Sequence, residues 1–195
     1  MTSTLISAFF TYTLITALTP GPNNIVALNA VTTHGFRQSS RVLAGMGTGF
    51  LTIMLLCAGL TFSLVRLDPA MTHWLSIIGA AYIVWLAWRI AMSAPGGSDA
   101  SLPPVSFWAG CGLQFVNVKI ILYGITALST FVLPYTREWH WVVGVSILLA
   151  AIGIFGNVCW ALAGHLFQRV FQRYGRQLNW VLAALLIYCA VRMFV

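Results

Sequence analysis

Residues 105–133, VSFWAGCGLQFVNVKIILYGITALSTFVL, form an apolar stretch long enough to cross a bilayer, and Lys119 lies near its middle. Lys119 is the only charged residue between Asp99 and Arg137. A cation at the centre of a bilayer costs about 2.5–3.5 kcal/mol on insertion scales, so such a residue marks a functional site by default. The sequence therefore predicts that Lys119 binds something.

No acidic side chain is expected near Lys119. The chain has three carboxylates, Asp68, Asp99 and Glu138, and each lies beside a proline, a glycine-serine run or an arginine, where a loop is predicted. We therefore expect the substrate to supply the missing anion. The alternatives are that Lys119 reaches an interface or pairs with carbonyl oxygens.

The composition predicts an all-α integral membrane protein. The chain is 59% hydrophobic and 7% charged, with a mean hydropathy of +0.89, which excludes a soluble domain with a polar surface. The apolar runs lack the alternation typical of a membrane β-barrel. Six transmembrane helices are predicted, approximately at Leu5 to Asn29, Val42 to Val65, Met71 to Trp88, Val105 to Leu133, Trp141 to Ala163 and Leu178 to Val191.

The arginines predict an orientation. The first span has no basic n-region, so we expect it to remain in the mature protein. Six arginines mark loops predicted to be cytoplasmic, which places both termini outside: Arg37, Arg41, Arg89, Arg169, Arg173 and Arg176. The same bias explains the net charge of +7 without a nucleic-acid partner. The expected partners are membrane lipid and a small molecule, and the oligomeric state, a homodimer included, is left open.

The cysteines do not predict redox or metal chemistry. Cys57, Cys111, Cys159 and Cys189 occur singly inside apolar runs, without a Cys-x-x-Cys pair or histidines at ligand spacing. No metal site and no cofactor is expected. We interpret these residues as small apolar core residues.

A linker at about residues 93–104 divides the chain into halves at about 1–92 and 105–195, which together form one transporter domain. Each half holds three predicted spans. Because an odd number of helices makes the second half enter the membrane from the opposite face, the halves are predicted to be inverted repeats.

The first span is predicted to break at Pro20, Gly21 and Pro22. A proline removes a backbone donor and crowds the carbonyl four residues earlier, so the carbonyls of Thr16 and Leu18 should be free to bind a ligand. A break at a matching depth in both halves is typical of a transport site. A simple kink is the alternative.

Polar side chains lie beside both predicted breaks. Asn23, Asn24 and Asn117 need hydrogen-bond partners inside the membrane, and we expect them to orient a substrate. Asn157 suits this role and an ordinary interhelical hydrogen bond equally well. Gly45 and Gly49 form a Gly-x-x-x-Gly face, which predicts close helix packing.

Four segments together resemble the LysE/RhtB amino-acid exporters over the whole chain. They are Pro20-Gly21-Pro22-Asn23-Asn24, Gly45-Met46-Gly47-Thr48-Gly49-Phe50, Gly79-Ala80-Ala81-Tyr82 and Gln114-Phe115-Val116-Asn117-Val118-Lys119. The resemblance implies a permease of the bacterial inner membrane that exports small amino acids, cysteine and O-acetylserine among them. The family usually has proline where this chain has Val118, so the sequence leaves open whether the fourth helix is broken.

The expected function is therefore secondary transport of small neutral amino acids out of the cytoplasm, in exchange for protons. The substrate carboxylate would pair with Lys119, and its ammonium would meet the carbonyls of Thr16 and Leu18. A passive channel is the closest alternative because it would use the same polar cavity. A membrane enzyme or thiol carrier fits less well, since it would need intramembrane acids, histidine clusters or paired cysteines.

Overall fold

A computed structural model describes residues 3–19, 21–68 and 106–191, with isolated helical positions between Trp74 and Met92. No strand occurs in these ranges, and the all-α prediction is confirmed for them. Their continuous helices are α1 (Ser3–Leu18), α2 (Pro22–Leu67), α3 (Phe107–Val116), α4 (Val118–Phe131) and α5 (Trp139–Val191).

The described residues contain two to four of the six predicted spans. His34–Val65 and Trp139–Leu162 are each long and apolar enough to cross a membrane. Two bent pairs reach that length only when taken together: Thr4–Leu18 with Pro22–Val31, bent by 49°, and Phe107–Val116 with Val118–Phe131, bent by 60°. Most of the predicted third span and the whole predicted linker lie outside the described residues.

The loop predicted between the fifth and sixth spans is wrong. Helix α5 continues through the segment from Gly164 to Gln177 and has 53 residues, about 80 Å at 1.5 Å per residue. Its arginines and glutamines favour a helix nearly as well as leucine does, and no proline interrupts it. Polarity alone therefore does not end this helix, and the described residues do not separate a sixth span.

The connection predicted around Arg37 and Arg41 is a one-residue break at Gly35 rather than a loop. Helix α2 runs for 46 residues, and its only non-helical residue is Gly35, at φ 75° and ψ 162°. A positive φ costs little for glycine because it has no Cβ. The chain bends at this one residue and carries both arginines on helical backbone.

Glycines bring the backbones of α2 and α3 into direct contact. A Cβ at Gly45 would lie 1.9 Å from the Phe107 carbonyl oxygen, and one at Gly110 would lie 2.3 Å from the Val42 carbonyl oxygen. A Cβ at Gly49 would lie 2.7 Å from the Cγ of Gln114. This crossing places the end of α3, with its polar side chains, against α2.

Aromatic rings fill the core beside this crossing. Tyr12 stacks on Tyr123 with ring centroids 5.9 Å apart and on Phe131 at the same distance. Phe50 meets Tyr123 edge-on and lies against Gly153 of α5, where a Cβ would be 2.2 Å from its ring. The core therefore joins α1, α2, α4 and α5 around one centre.

The α2–α3 contact predicts opposite effects for two glycines of α3. Gly110→Ala should destabilise the protein by about 1–3 kcal/mol because the added methyl meets the α2 backbone. Gly112→Ala is the matched control, since a Cβ there would meet nothing within 4 Å and alanine favours a helix. Thermal melting in detergent measures both variants. Equal melting temperatures for the two variants would contradict the contact.

Candidate functional site

The first helix break joins α1 to α2. Helix α1 ends at Leu18, Gly21 is extended at φ −164° and ψ 173°, and α2 begins at Pro22. Proline suits the first position of a helix because its missing N–H is not needed there. Pro20, which the sequence also assigns to the break, lies outside the described residues.

The second break lies at Asn117 and needs no proline. Asn117 has φ −83° and ψ 90°, so it ends α3 and precedes α4. Its backbone N–H donates to the Gln114 carbonyl at 3.3 Å, and its carbonyl accepts from the N–H of Ile120 at 3.0 Å. The fourth predicted span is therefore broken although Val118 stands at the family's proline position.

Three amide side chains connect the two breaks. Asn23 donates from Nδ2 to Oε1 of Gln114 at 2.7 Å, and its Oδ1 accepts from Gln114 Nε2 at 3.3 Å and from Asn117 Nδ2 at 3.0 Å. Gln114 also donates to the Gly110 carbonyl at 2.9 Å. All three amides are buried. This cluster of Asn23, Gln114 and Asn117 satisfies polar groups that would otherwise be unpaired in an apolar interior.

Lys119 crosses from the second break to the first. Its Nζ donates to the Thr19 carbonyl at 2.9 Å, and Asn24 Nδ2 donates to the same carbonyl at 2.7 Å. A Cβ at Gly21 would lie 3.0 Å from that Nζ, so the glycine leaves room for the ammonium group. Lys119 thus pairs with a carbonyl oxygen in this conformation, as one of the sequence alternatives proposed.

In the described part of the chain, no carboxylate balances the positive charge of Lys119. Asp68 follows α2 and Glu138 precedes α5, and both are exposed. Glu138 forms an ion pair with His140, at 3.2 Å. The end of α1 instead presents the negative end of its helix dipole to the lysine.

A small cavity of about 30 Å³ opens beside these groups. That volume holds about two water molecules, since one requires roughly 10–15 Å³ by the same measure. The wall combines both breaks with residues of α2, α4 and α5: Thr16, Ala17, Gly21, Pro22, Asn23, Asn24, Phe50, Asn117, Lys119, Ile120, Tyr123, Gly153 and Asn157.

Comparison with known proteins identifies the family. A model of the LysE type translocators matches residues 14–195. The chain belongs to this family. The resemblance predicted from the sequence is confirmed, and the chain is a transporter rather than an enzyme.

Relatives of the translocator match over its full length. The cysteine/O-acetylserine efflux proteins of Salmonella typhimurium (strain LT2) and Salmonella choleraesuis (strain SC-B67) are each 72% identical over 194 residues, and that of Escherichia coli (strain K12) is 71% identical. All of both chains is covered in each case. No solved structure matches the chain.

Some of the predicted site residues line the cavity of the translocator, and others do not. Thr16, Asn23, Asn24, Asn117 and Lys119 line the cavity, and so does Asn157, whose Nδ2 is buried without a partner. Leu18 does not line it, and its carbonyl is not free, because it accepts a hydrogen bond from Trp160 Nε1 at 3.0 Å. Gly45 and Gly49 face α3 instead of the cavity.

Sequence reasoning missed Gln114 and Trp160 as members of the site. Gln114 is fully buried at 0% exposure and could have been found as an amide one helical turn before Asn117 in an apolar stretch. Trp160 gives no such signal, since tryptophans are common in membrane helices. In the sequence, Phe50 and Tyr123 likewise resemble ordinary core residues, and only the structure shows that they line the cavity.

No metal chemistry is indicated by the described residues, which contain no group of three histidines, cysteines or acids close enough to hold an ion. Cys57, Cys111 and Cys159 are free thiols. The side chain of Cys189 lies outside the described residues. The cavity lining contains amides, hydroxyls and one ammonium group, a set suited to binding a polar molecule without covalent chemistry.

The amide cluster predicts energetic coupling between Asn23 and Asn117. Each alanine variant should lower stability by about 0.5–3 kcal/mol, because it removes hydrogen bonds from a buried amide cluster. The double variant should cost less than the sum of the two, with a coupling of about 0.5–3 kcal/mol. Denaturation in detergent measures the cycle. Thr48→Val is the control, since its exposed hydroxyl bonds to the Ala44 carbonyl of its own helix. Additive effects of the two alanine variants would argue against the cluster.

Proposed function

We propose that this translocator exports small neutral amino acids, cysteine and O-acetylserine in particular, from the cytoplasm across the bacterial inner membrane. Full-length relatives that carry this function in their names share 71–72% of the sequence. The observation that carries the proposal is the cavity at the two helix breaks, with one ammonium group and several amides on its wall.

Lys119 is proposed to bind the substrate carboxylate. An ammonium group has three donors, and the structure assigns one of them to the Thr19 carbonyl. Helices α2 and α4 both begin beside the cavity, and neither has a side-chain cap hydrogen bond at its first turn. Helix N-termini favour anions, so both dipoles support a carboxylate at this position.

The C-terminal end of α1 is proposed to receive the substrate ammonium. Its carbonyl groups carry the negative end of the helix dipole, and Thr16 and Thr19 lie in its last turn and at its end. The Thr19 carbonyl already accepts two donors, which a bound ammonium would replace in part. The Leu18 carbonyl is held by Trp160 in this conformation, so we assign it no role in this state. Asn23, Asn24 and Asn117 would fix the substrate's orientation.

The cavity must widen to hold an amino acid, since about 30 Å³ suits only water. We propose that the two halves are inverted repeats that rock about the site. In support, each half has one bent helix pair, at 49° and 60°, and the two breaks are in contact through side chains. Six spans and a homodimer stay predictions. The structure does not separate all six spans, because α5 continues through the predicted fifth and sixth ones.

Export is proposed to be driven by protons moving inward. Among the described residues of the cavity wall, Lys119 is the only one with a charged side chain, and it is therefore the candidate to bind and release the coupling proton. The same residue would then alternate between a proton and a substrate as the halves rock.

Lys119→Gln should reduce export at least tenfold, because the carboxylate loses its cationic partner. Inside-out membrane vesicles with an acidic lumen measure this reaction as uptake of labelled O-acetylserine or cysteine. Wild type should accumulate substrate above the outside concentration, and a protonophore should abolish that accumulation. Lysine should be a poor substrate.

Arg137→Gln is the control for this experiment, since it removes an equal charge at an exposed position. Full activity of Lys119→Gln would remove the carboxylate role. Equilibration without accumulation by wild type would indicate a passive channel, and preferred lysine transport would contradict the charge argument.

The orientation predicted from the arginines places Arg173 in the cytoplasm and both termini in the periplasm. Arg173 is exposed on α5, so a cysteine placed there is accessible to reagents. An impermeant maleimide should label it in inside-out vesicles and not in intact spheroplasts, in a background without the native cysteines. The reverse pattern would invert the proposed topology.

A further inference from the structure

Two polar groups on the cavity wall have no partner within the protein. Thr16 Oγ1 on α1 and Asn157 Nδ2 on α5 are buried and make no hydrogen bond, and their residues are only 3% and 5% exposed. Both residues line the cavity. A buried polar group that lacks a partner in a native structure requires an explanation, and a bound molecule is one.

The free hydroxyl of Thr16 differs from several other helical hydroxyls of this protein, although those of Ser39 and Thr130 are also buried without a partner. Hydroxyls in helices commonly donate to the carbonyl four residues earlier. Thr52 and Thr61 do so at 2.9 and 2.6 Å, and Ser146 does so at 2.8 Å. The Thr16 hydroxyl does not form this bond, and Thr16 lines the cavity.

The contact between α1 and α5 holds the two groups in place. A Cβ at Gly156 would lie 2.7 Å from the Ala17 carbonyl oxygen, so these two backbones touch. Thr16 precedes Ala17 and Asn157 follows Gly156, so both residues border this contact, and both line the cavity. Trp160 also joins α5 to α1 by donating to the Leu18 carbonyl. The two helices are therefore held together beside two polar groups that make no hydrogen bond within the protein.

We infer that Thr16 and Asn157 form a subsite that hydrogen-bonds the substrate's side chain and so selects small amino acids with a polar side chain over aliphatic ones of similar size. The inference rests on the proposed function, in which Lys119 and the helix ends hold the carboxylate and the ammonium. The Asn157 amide would donate to an ester or hydroxyl oxygen, and the Thr16 hydroxyl would donate or accept. Phe50, on the same wall, adds an apolar surface for the rest of the side chain.

Competition in transport tests the subsite. The probes are O-acetylserine against norleucine, which differ in an ester group, and cysteine against 2-aminobutyrate, in which a thiol replaces a methyl group. Wild type should prefer the polar member in both pairs. Thr16→Val and Asn157→Leu should each lower that preference about tenfold, and more for O-acetylserine than for cysteine because a thiol is a weak hydrogen-bonding group.

Thr130→Val is the matched control. Its hydroxyl is also buried and unpartnered, but Thr130 does not line the cavity, so the preference should not change. Melting temperature separates the subsite from a structural role. Removing an unpaired polar group does not break a hydrogen bond, so Thr16→Val and Asn157→Leu should melt no lower than wild type. Thr16→Ser keeps the hydroxyl and should keep the preference.

An unchanged preference in Thr16→Val and Asn157→Leu, while Lys119→Gln still abolishes export, would overturn the subsite and leave the proposed function standing. A lower melting temperature with an unchanged preference would assign both groups a structural role and would overturn it equally. Failure of wild type to transport either polar probe would remove the proposed function together with the inference.

Discussion

Helix ends that lie in an apolar interior must find partners for their backbone polar groups, and this requirement determines the centre of the molecule. Each break leaves carbonyl and N–H groups that lipid cannot satisfy. The structure supplies Lys119 and Asn24 for the Thr19 carbonyl and Trp160 for the Leu18 carbonyl. The polar residues of the site are therefore needed for stability as well as for binding. A substrate meets groups that are already held in place by the fold.

Residues from both halves of the chain form the site. Asn23 and Thr19 belong to the first break, whereas Asn117 and Lys119 belong to the second. Hydrogen bonds from Asn117 to Asn23 and from Lys119 to Thr19 connect them over about a hundred residues of sequence. When one half moves against the other, these hydrogen bonds must either be kept or be replaced by hydrogen bonds to a ligand. The small cavity lies where that exchange can occur.

Sequence reasoning located the polar site but misjudged where helices end. Lys119, Asn23 and Asn117 could be found because a charge or an amide in a long apolar stretch is costly and needs a reason. The predicted connection between the first two spans is reduced to one residue, Gly35, and the segment from Gly164 to Gln177 is helical, since arginine and glutamine mark a membrane surface without breaking a helix. The break at Asn117 also shows that a helix break does not require proline.

Which polar groups remain unpaired could not be predicted from the sequence at all. Thr16 and Asn157 are chemically like Thr61 and Asn23, whose side chains are bonded within the protein. The difference depends on which backbone faces each side chain after α1 and α5 have packed through Gly156. Whether a polar group finds a hydrogen-bond partner depends on which residues the fold packs against it. Only the fold therefore distinguishes polar residues that bond within the protein from those that face the cavity.

A single cation is sufficient for a site that binds zwitterions. A neutral amino acid brings one charge of each sign, so its proposed complex with Lys119 would have the same net charge as the empty site. A cationic side chain would add a second positive charge. At a separation of about 6 Å and an effective dielectric constant of about 20, the repulsion is about 3 kcal/mol, which is roughly a hundredfold in affinity. No described carboxylate of the cavity wall offsets that repulsion. In the proposed site, the lack of a described acid on this wall would therefore disfavour cationic substrates.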